Sequence, residues 1–298
     1  MLLSLLAALL SLSFSPIVQN HTGPGKLVRI ESFPSRYVAP RQVDVWLPES
    51  YGQNPGKKYA VLYMQDGQNL FSPETAYAGQ EWQVDETLSQ LMQEGKIKDC
   101  IVVGIWNTAH RFYEYGPQKP FALLPDSAQQ QLRQEYKFDK ILSDEYLKFI
   151  VEELKPYIDK KYCTRPDRNN TYLLGSSMGG LISLYGVLEY PKVFGGAACL
   201  STHWPFTLKE NNPAFTHAMA AYLAQQLPTR HKPRLYFDYG TQTLDAWYAP
   251  HQQLIDSVLE GKGYGSKNWV TRRFEGAEHS ERSWRERLAI PVTFLLRK

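Results

Sequence analysis

After an apolar opening, "MLLSLLAALLSLSFSP", the chain settles into short apolar runs separated by amphipathic stretches. "KLVRIESF" and "RQVDVWLPE" alternate apolar and polar positions, which predicts two antiparallel strands joined by a proline-containing turn. The pattern then changes: "KYAVLYMQDG", "DCIVVGIWN", "NTYLLGSS", "GGAACLS", "PRLYFDYG" and "NWVTRRFEG" are short strand candidates, most of them rich in consecutive apolar residues, as in strands covered on both faces. Between them lie helical spacings. Tyr146, Phe149, Ile150, Leu154, Tyr157 and Ile158 recur three or four apart behind Ser143, a candidate N-cap. Residues 84–94, 214–227, 248–260 and 280–297 fit further helices, and Pro191 ends the one that follows Ser177. Strands alternating with helices predict an α/β fold with a mostly parallel central sheet and helices on both faces.

Length and composition narrow this to one large core. With 298 residues, 43% of them hydrophobic, the expected organisation is a leader over residues 1–22 and a single domain over 23–298. The apolar opening is short for a bilayer span and gives way to the polar "VQNHTGPGK", as a signal peptide does. No Lys or Arg precedes it, and Pro16 follows the best small residue, Ser15. Export to the periplasm or medium is the expectation, with an uncleaved N-terminal anchor or a buried helix as alternatives; a cleaved leader leaves no stable membrane association. No cysteine follows the apolar stretch, which argues against a lipoprotein.

A formal net charge of +3, spread without a long run of one sign, gives no electrostatic reason to expect nucleic acid as a partner. Cys100, Cys163 and Cys199 lack the close spacing of a metal site or a disulfide framework, although one bridge stays open. Cys100 and Cys199, in apolar runs, read as core thiols. Neither a metal nor an organic cofactor is expected.

The chemistry concentrates in "TYLLGSSMGGLISLYG", which centres Ser177 in Gly175-Ser176-Ser177-Met178-Gly179. A bare GxSxG turns up in roughly one chain in ten of this length, so context decides. An apolar strand precedes it, and Leu181, Leu184, Tyr185 and Leu188 follow at helical spacing, the setting of a nucleophile elbow. A serine hydroxyl needs a base and a group to orient that base. Asp245 follows a late strand and His279 the last one, giving the order serine, acid, histidine of α/β-hydrolases. Asp238, Glu275 and Glu278 are rival acids, and a Ser177-His279 pair without an acid is a further alternative. The tetrahedral oxyanion needs two backbone donors. Met178 supplies one, and Gln68, in the turn after "VLYMQDG", the other, unless that turn is an ordinary Asp-Gly turn.

These features, with "MQDGQNLF", "EWQVDETL", "IVVGIWN" followed by "RFYEYGP", "FIVEELKPYID", "LLGSSMGGLISLYGVLEYPKVFGGAACLS" and "EHSE", resemble the esterase family typified by esterase D, within the α/β-hydrolase superfamily. The resemblance covers nearly everything after the leader. It implies hydrolysis of a small-molecule carboxylic ester through an acyl-enzyme, with Ser177, His279 and Asp245 as triad and Gln68 and Met178 as oxyanion donors. That family includes siderophore, feruloyl and acetyl esterases, S-formylglutathione hydrolases and mycolyltransferases, so acyl transfer by the same triad is the alternative reaction. The cysteine-containing oxyanion loop of S-formylglutathione hydrolases is missing here. A non-catalytic binding protein would have no need to keep the three residues in order.

Residues 107–142 form a long insertion beside the expected site, where Arg111 and Tyr115 are candidates to bind an aromatic or acidic portion of substrate. An internal Arg111-Glu114 ion pair is the competing reading. His203 follows a strand and is placed at the pocket, while Trp204 and Trp247 are divided between substrate contact and packing. Oligomeric state is left open.

Overall fold

The computed structural model describes residues 16–298; the leader reading over residues 1–15 lies outside the described residues. Ile17–Val18, grouped with the leader by sequence pattern, is a short strand, β1, with Ile17 facing Arg29 and Val18 facing Val28. His21 ties the same segment down, its Nε2 lying 2.8 Å from Asp85 Oδ2. Backbone pairing and the His21–Asp85 contact thus hold residues ahead of position 23 to the sheet.

All eight strands expected from the pattern form: β2 (Lys26–Phe33), β3 (Arg41–Leu47), β4 (Ala60–Gln65), β5 (Cys100–Ile105), β6 (Thr171–Ser176), β7 (Gly196–Leu200), β8 (Arg234–Tyr239) and β9 (Trp269–Arg273). They make one sheet in the order β1-β2-β3-β5-β4-β6-β7-β8-β9. The pairs β1–β2, β2–β3 and β3–β5 are antiparallel, and every pair from β5–β4 to β8–β9 is parallel. Parallel neighbours need long crossovers, which the helices supply.

The helices are α1 (Val84–Gln93), α2 (Arg111–Tyr115), α3 (Gln118–Phe121), α4 (Asp126–Tyr136), α5 (Ser143–Lys148), α6 (Lys155–Lys161), α7 (Met178–Glu189), α8 (Ala214–Gln226), α9 (Tyr248–Gly261), α10 (Glu281–Arg287) and α11 (Ala289–Leu296). A π-helical turn, Phe149–Leu154, joins α5 to α6 into one continuous rod. Ser143 begins α5 rather than capping it, and its Oγ accepts the Gln118 N–H at the start of α3, at 2.9 Å.

Successive residues of β4 serve opposite faces. Val61 and Tyr63 share a buried cluster with Leu147 of α5 and Leu181 of α7, whereas Leu62 and Met64 pack with Leu88 of α1 and Leu295 of α11. Both faces are dry, so these strands read as unbroken apolar runs. The insertion is itself largely helical, carrying α2 to α4, and is closed by aromatic packing: the Phe112 ring lies 3.7 Å from Tyr136 and 4.8 Å from Phe206.

Candidate active site

The parallel strands point their carboxyl ends to one edge, and the six connections that follow β4 to β9 converge there. β6 stops at Ser176 and α7 starts at Met178, which leaves Ser177 alone at the junction with φ 56° and ψ −122°. Such backbone costs a residue with a side chain on the order of 1–3 kcal/mol and persists only when its surroundings hold it. Here the Ser177 N–H donates to the Leu200 carbonyl at 2.9 Å, and the Ser177 carbonyl accepts from Gly180 at 3.0 Å and from His203 at 3.2 Å. Glycine at 175 is demanded by space, since a Cβ there would stand 2.5 Å from the Gly179 carbonyl oxygen.

Ser177 and His279 line one cleft of about 500 Å³, together with Gln68, Arg111, Glu281 and Trp284. His279 Nδ1 lies 2.6 Å from Asp245 Oδ1, and its ring packs edge-on against Trp284. Asp245 sits in a 3-10 turn, Thr243–Trp247, beyond β8. Its other oxygen accepts from Ser201 Oγ at 2.5 Å and from the Gly240 N–H at 2.6 Å. Burial pushes this carboxyl up, but the bonds from His279, Ser201 and Gly240 outweigh it and hold the group below the usual carboxylate range. An anion at Nδ1 keeps the proton on that nitrogen and leaves Nε2 as the basic one.

The rival acids are engaged elsewhere. Asp238 lies within β8 and is bonded to Arg287 Nη2 at 3.0 Å and to the Tyr236 hydroxyl at 3.1 Å. Glu275 pairs with Arg273 at 2.7 Å and Glu278 with Arg282 at 2.8 Å, both at the surface.

Gln68 lies in a single 3-10 turn, Gly67–Asn69, directly after β4, and Met178 opens α7. Neither backbone N–H has a protein acceptor among the described residues. For Met178 this follows from its place, because the first N–H groups of a helix have no intrahelical partner.

The five residues expected to touch substrate separate. Arg111 lines the cleft, but it pairs with Asp66 rather than Glu114, whose carboxylate is taken by Arg41 at 2.7 and 2.9 Å. Tyr115 is fully buried, its hydroxyl accepting the Asp66 N–H at 3.3 Å, so it supports the turn from beneath. His203 is buried as well, with Nδ1 2.9 Å from the Tyr248 hydroxyl. Burial, then the charges of His279 and Arg111, push its imidazole down to about 3, so it stays neutral. Trp204 is packed inside with its Nε1–H donating to Gln252 at 3.0 Å, and Trp247 does not line the cleft. Of the five, Arg111 lines the cleft and the others do not, because proximity in sequence to a site residue does not say which way a side chain faces.

Several cleft residues escaped the sequence reading: Tyr77, Leu208, Leu244, Glu281 and Trp284. Only Trp284 carried a signal. Ser280 caps α10 by accepting the Ser283 N–H, so "EHSERSW" places a tryptophan one turn into a helix that begins beside His279. Ser201 and Arg287 form a layer behind the acid: Ser201 Oγ accepts from Trp284 Nε1 and Arg287 Nη2, each at 2.9 Å, and donates its own hydrogen bond to Asp245. Among the described residues no cluster of three or more His, Cys, Asp or Glu is arranged to hold a metal ion.

A mostly parallel sheet wrapped by helices, with a strained serine at a strand-to-helix turn and a histidine after the last strand, is the α/β-hydrolase fold. Residues 36–294 match the family model described as "Putative esterase", and the chain belongs to that family. Among curated proteins it is similar to a Xylanibacter ruminicola endo-1,4-beta-xylanase/feruloyl esterase, 30% identical over 172 residues, 56% of this chain and 20% of that protein. It is also similar to the siderophore enterobactin esterase of Emericella nidulans, 26% identical over 61% of this chain and 58% of that one. These matches thus span less than two thirds of either relative. Two solved structures share the fold: a ferulic acid esterase, with TM-score 0.64, 20% identity and coverage of 92% of this chain and 98% of that one, and the enterobactin esterase of Shigella flexneri, with TM-score 0.63, 17% identity and coverage of 93% and 60%.

Proposed function

We propose that the protein is a serine hydrolase that cleaves carboxylic esters through an acyl-enzyme, with Ser177 as nucleophile, His279 as general base and acid, and Asp245 orienting it. The observation that carries this reading is the 2.6 Å contact of His279 Nδ1 with the buried Asp245, His279 lining the same cleft as the strained Ser177. Ser177 Oγ attacks the ester carbonyl carbon as its proton passes to His279 Nε2, and the carbonyl oxygen becomes an oxyanion facing the Gln68 and Met178 amides. The C–O bond then breaks and the leaving alcohol takes the proton from His279. Water repeats the sequence on the acyl-enzyme and releases the acid.

The feruloyl and enterobactin esterase relatives point to an acyl ester on a carbohydrate or a siderophore as substrate. An ester panel of p-nitrophenyl acyl chains, a feruloylated sugar and a catecholate trilactone, run with wild type and Ser177→Ala and with an added alcohol acceptor, tests this. Turnover of one substrate by wild type alone, into free acid, supports the reading. Equal rates in Ser177→Ala would sink it. The N-terminal pattern "MLLSLLAALLSLSFSP" supports export, which fractionation of cells expressing the full chain tests; recovery with cytosolic proteins would count against it.

A further inference from the structure

β4 and β5 are adjacent parallel strands with Gln65 opposite Ile105, so the segments that follow them meet at the cleft. The first residue beyond β4, Asp66, has φ 56° and ψ 49°, the left-handed region that residues with a Cβ adopt at a cost. The next residue is pressed onto β5, since a Cβ on Gly67 would stand 2.6 Å from the Gly104 carbonyl carbon. The turn is held in place by side chains of the segment after β5. Asp66 Oδ1 accepts from Asn107 Nδ2 at 2.6 Å and from Arg111 Nε at 2.7 Å, and Oδ2 accepts from Arg111 Nη2 at 2.8 Å. The Asp66 N–H donates to Tyr115, and Gln68 Oε1 accepts the Asn107 N–H at 3.3 Å. One short segment thus grips the turn at its carboxylate, its first N–H and the Gln68 side chain.

Arg111 lines the cleft, and one bidentate edge of its guanidinium, Nε and Nη2, is already engaged by Asp66. We propose that Arg111 is a positioning residue. Through Asp66 it holds the turn in the left-handed conformation that aims the Gln68 N–H at the oxyanion, and it does not recognise substrate. Without the clamp, the turn loses its charged partner and can rotate its peptides toward ordinary right-handed backbone, which would carry the Gln68 N–H away from Ser177. The inference rests on the proposed roles of Ser177 and Gln68.

The test compares wild type with Arg111→Met, Arg111→Lys and Asp66→Asn on a small neutral ester, p-nitrophenyl acetate, which offers no acid for an arginine to bind. The readouts are kcat, KM, melting temperature and the inhibition constant of an alkylboronic acid, whose tetrahedral adduct on serine places an oxygen where the oxyanion forms. For Arg111→Met, kcat is expected to fall by about 10²-fold, the usual effect of losing one oxyanion donor, with KM within about threefold and boronate affinity falling in parallel. Asp66→Asn, which tolerates the left-handed region but lacks the charge, should fall less, and Arg111→Lys should recover part of the loss. A raised KM with kcat preserved, or undiminished boronate affinity in Arg111→Met, would overturn the inference. A fluorophosphonate separates the two levels: if wild type is not labelled at Ser177, the underlying reading fails, whereas labelled wild type with full activity in Arg111→Met defeats only the role given to Arg111.

Discussion

Two turns at the rim of the cleft carry the same φ of 56°, at Ser177 and at Asp66, and are held in different ways. The Ser177 elbow is fixed by backbone groups, donating to Leu200 and accepting from Gly180 and His203, and by a glycine at 175 that lets α7 approach β6. The Asp66 turn has a backbone bond of its own, from the Asn69 N–H to the Asp66 carbonyl at 3.0 Å, but it is anchored to its surroundings by the side chains of Asn107, Arg111 and Tyr115. Backbone bonds survive most substitutions, so the elbow is insulated from change around it. A turn held by remote side chains can be loosened one residue at a time, which makes it the adjustable half of the site.

The contrast can be broken from either side. The largest effect should come from the elbow's own side chain: Ser177→Ala is expected to lower turnover by at least about 10⁴-fold with the melting temperature nearly unchanged, since one hydroxyl carries little packing. Loss of fluorophosphonate labelling together with activity is the check, and labelling that persists at Ser176 would relocate the nucleophile.

Next in size is the pair of aspartates seven residues apart. Asp245→Asn should reduce kcat by up to about 10⁴-fold in a folded protein, because Nδ1 would then face an amide and the imidazolium would lose its counter-charge. Asp238→Asn should act on stability instead, by about 3–5 kcal/mol, since it strips a buried partner from Arg287. Measuring kcat beside chemical denaturation decides; a kcat loss confined to Asp238→Asn would move the acid onto β8. Asp245 also links stability to pH. Its folded-state pKa is depressed, so its contribution is complete above the unfolded carboxylate range near pH 4 and is lost as the pH falls through the lower folded value. Acid unfolding of Asp245→Asn should therefore be flatter than that of wild type.

A smaller change is expected from Gly175→Ala, whose methyl group meets the Gly179 carbonyl: about 1–3 kcal/mol of stability, with kcat falling only as the elbow shifts. An unchanged melting temperature would show the elbow to be less tightly packed than its distances indicate. The smallest lies at the edge of the sheet. The Asp85 hydrogen bond raises His21 against the opposing effect of burial, so the tie is complete below about pH 6.5 and is lost as the pH rises through the raised folded value. Protection of the β1–β2 amides, corrected for intrinsic exchange, should drop across that window by the equivalent of about 1 kcal/mol or less, and His21→Ala should abolish the dependence.

Local information sufficed where a feature depends on its own stretch of chain. The apolar runs gave eight strands, because strands covered on both faces must be apolar at every position, and the glycine spacing around Ser177 gave the elbow, because close approach of α7 to β6 leaves no room for a Cβ. The order of Ser177, Asp245 and His279 named the candidate site, since parallel strands deliver successive loops to one edge. The sequence favoured Asp245 over Asp238 because Asp238 falls within the strand, but it could not show their partners, His279 for one and Arg287 for the other. Nor could it tell that Arg111 would reach Asp66, 45 residues back, rather than Glu114, three residues on, or that Tyr115 and His203 would face inward. Those choices belong to tertiary structure, because they depend on which strand lies beside which. Once β5 pairs with β4 the segment after it must cover the Asp66 turn, and the direction of each side chain follows from that contact.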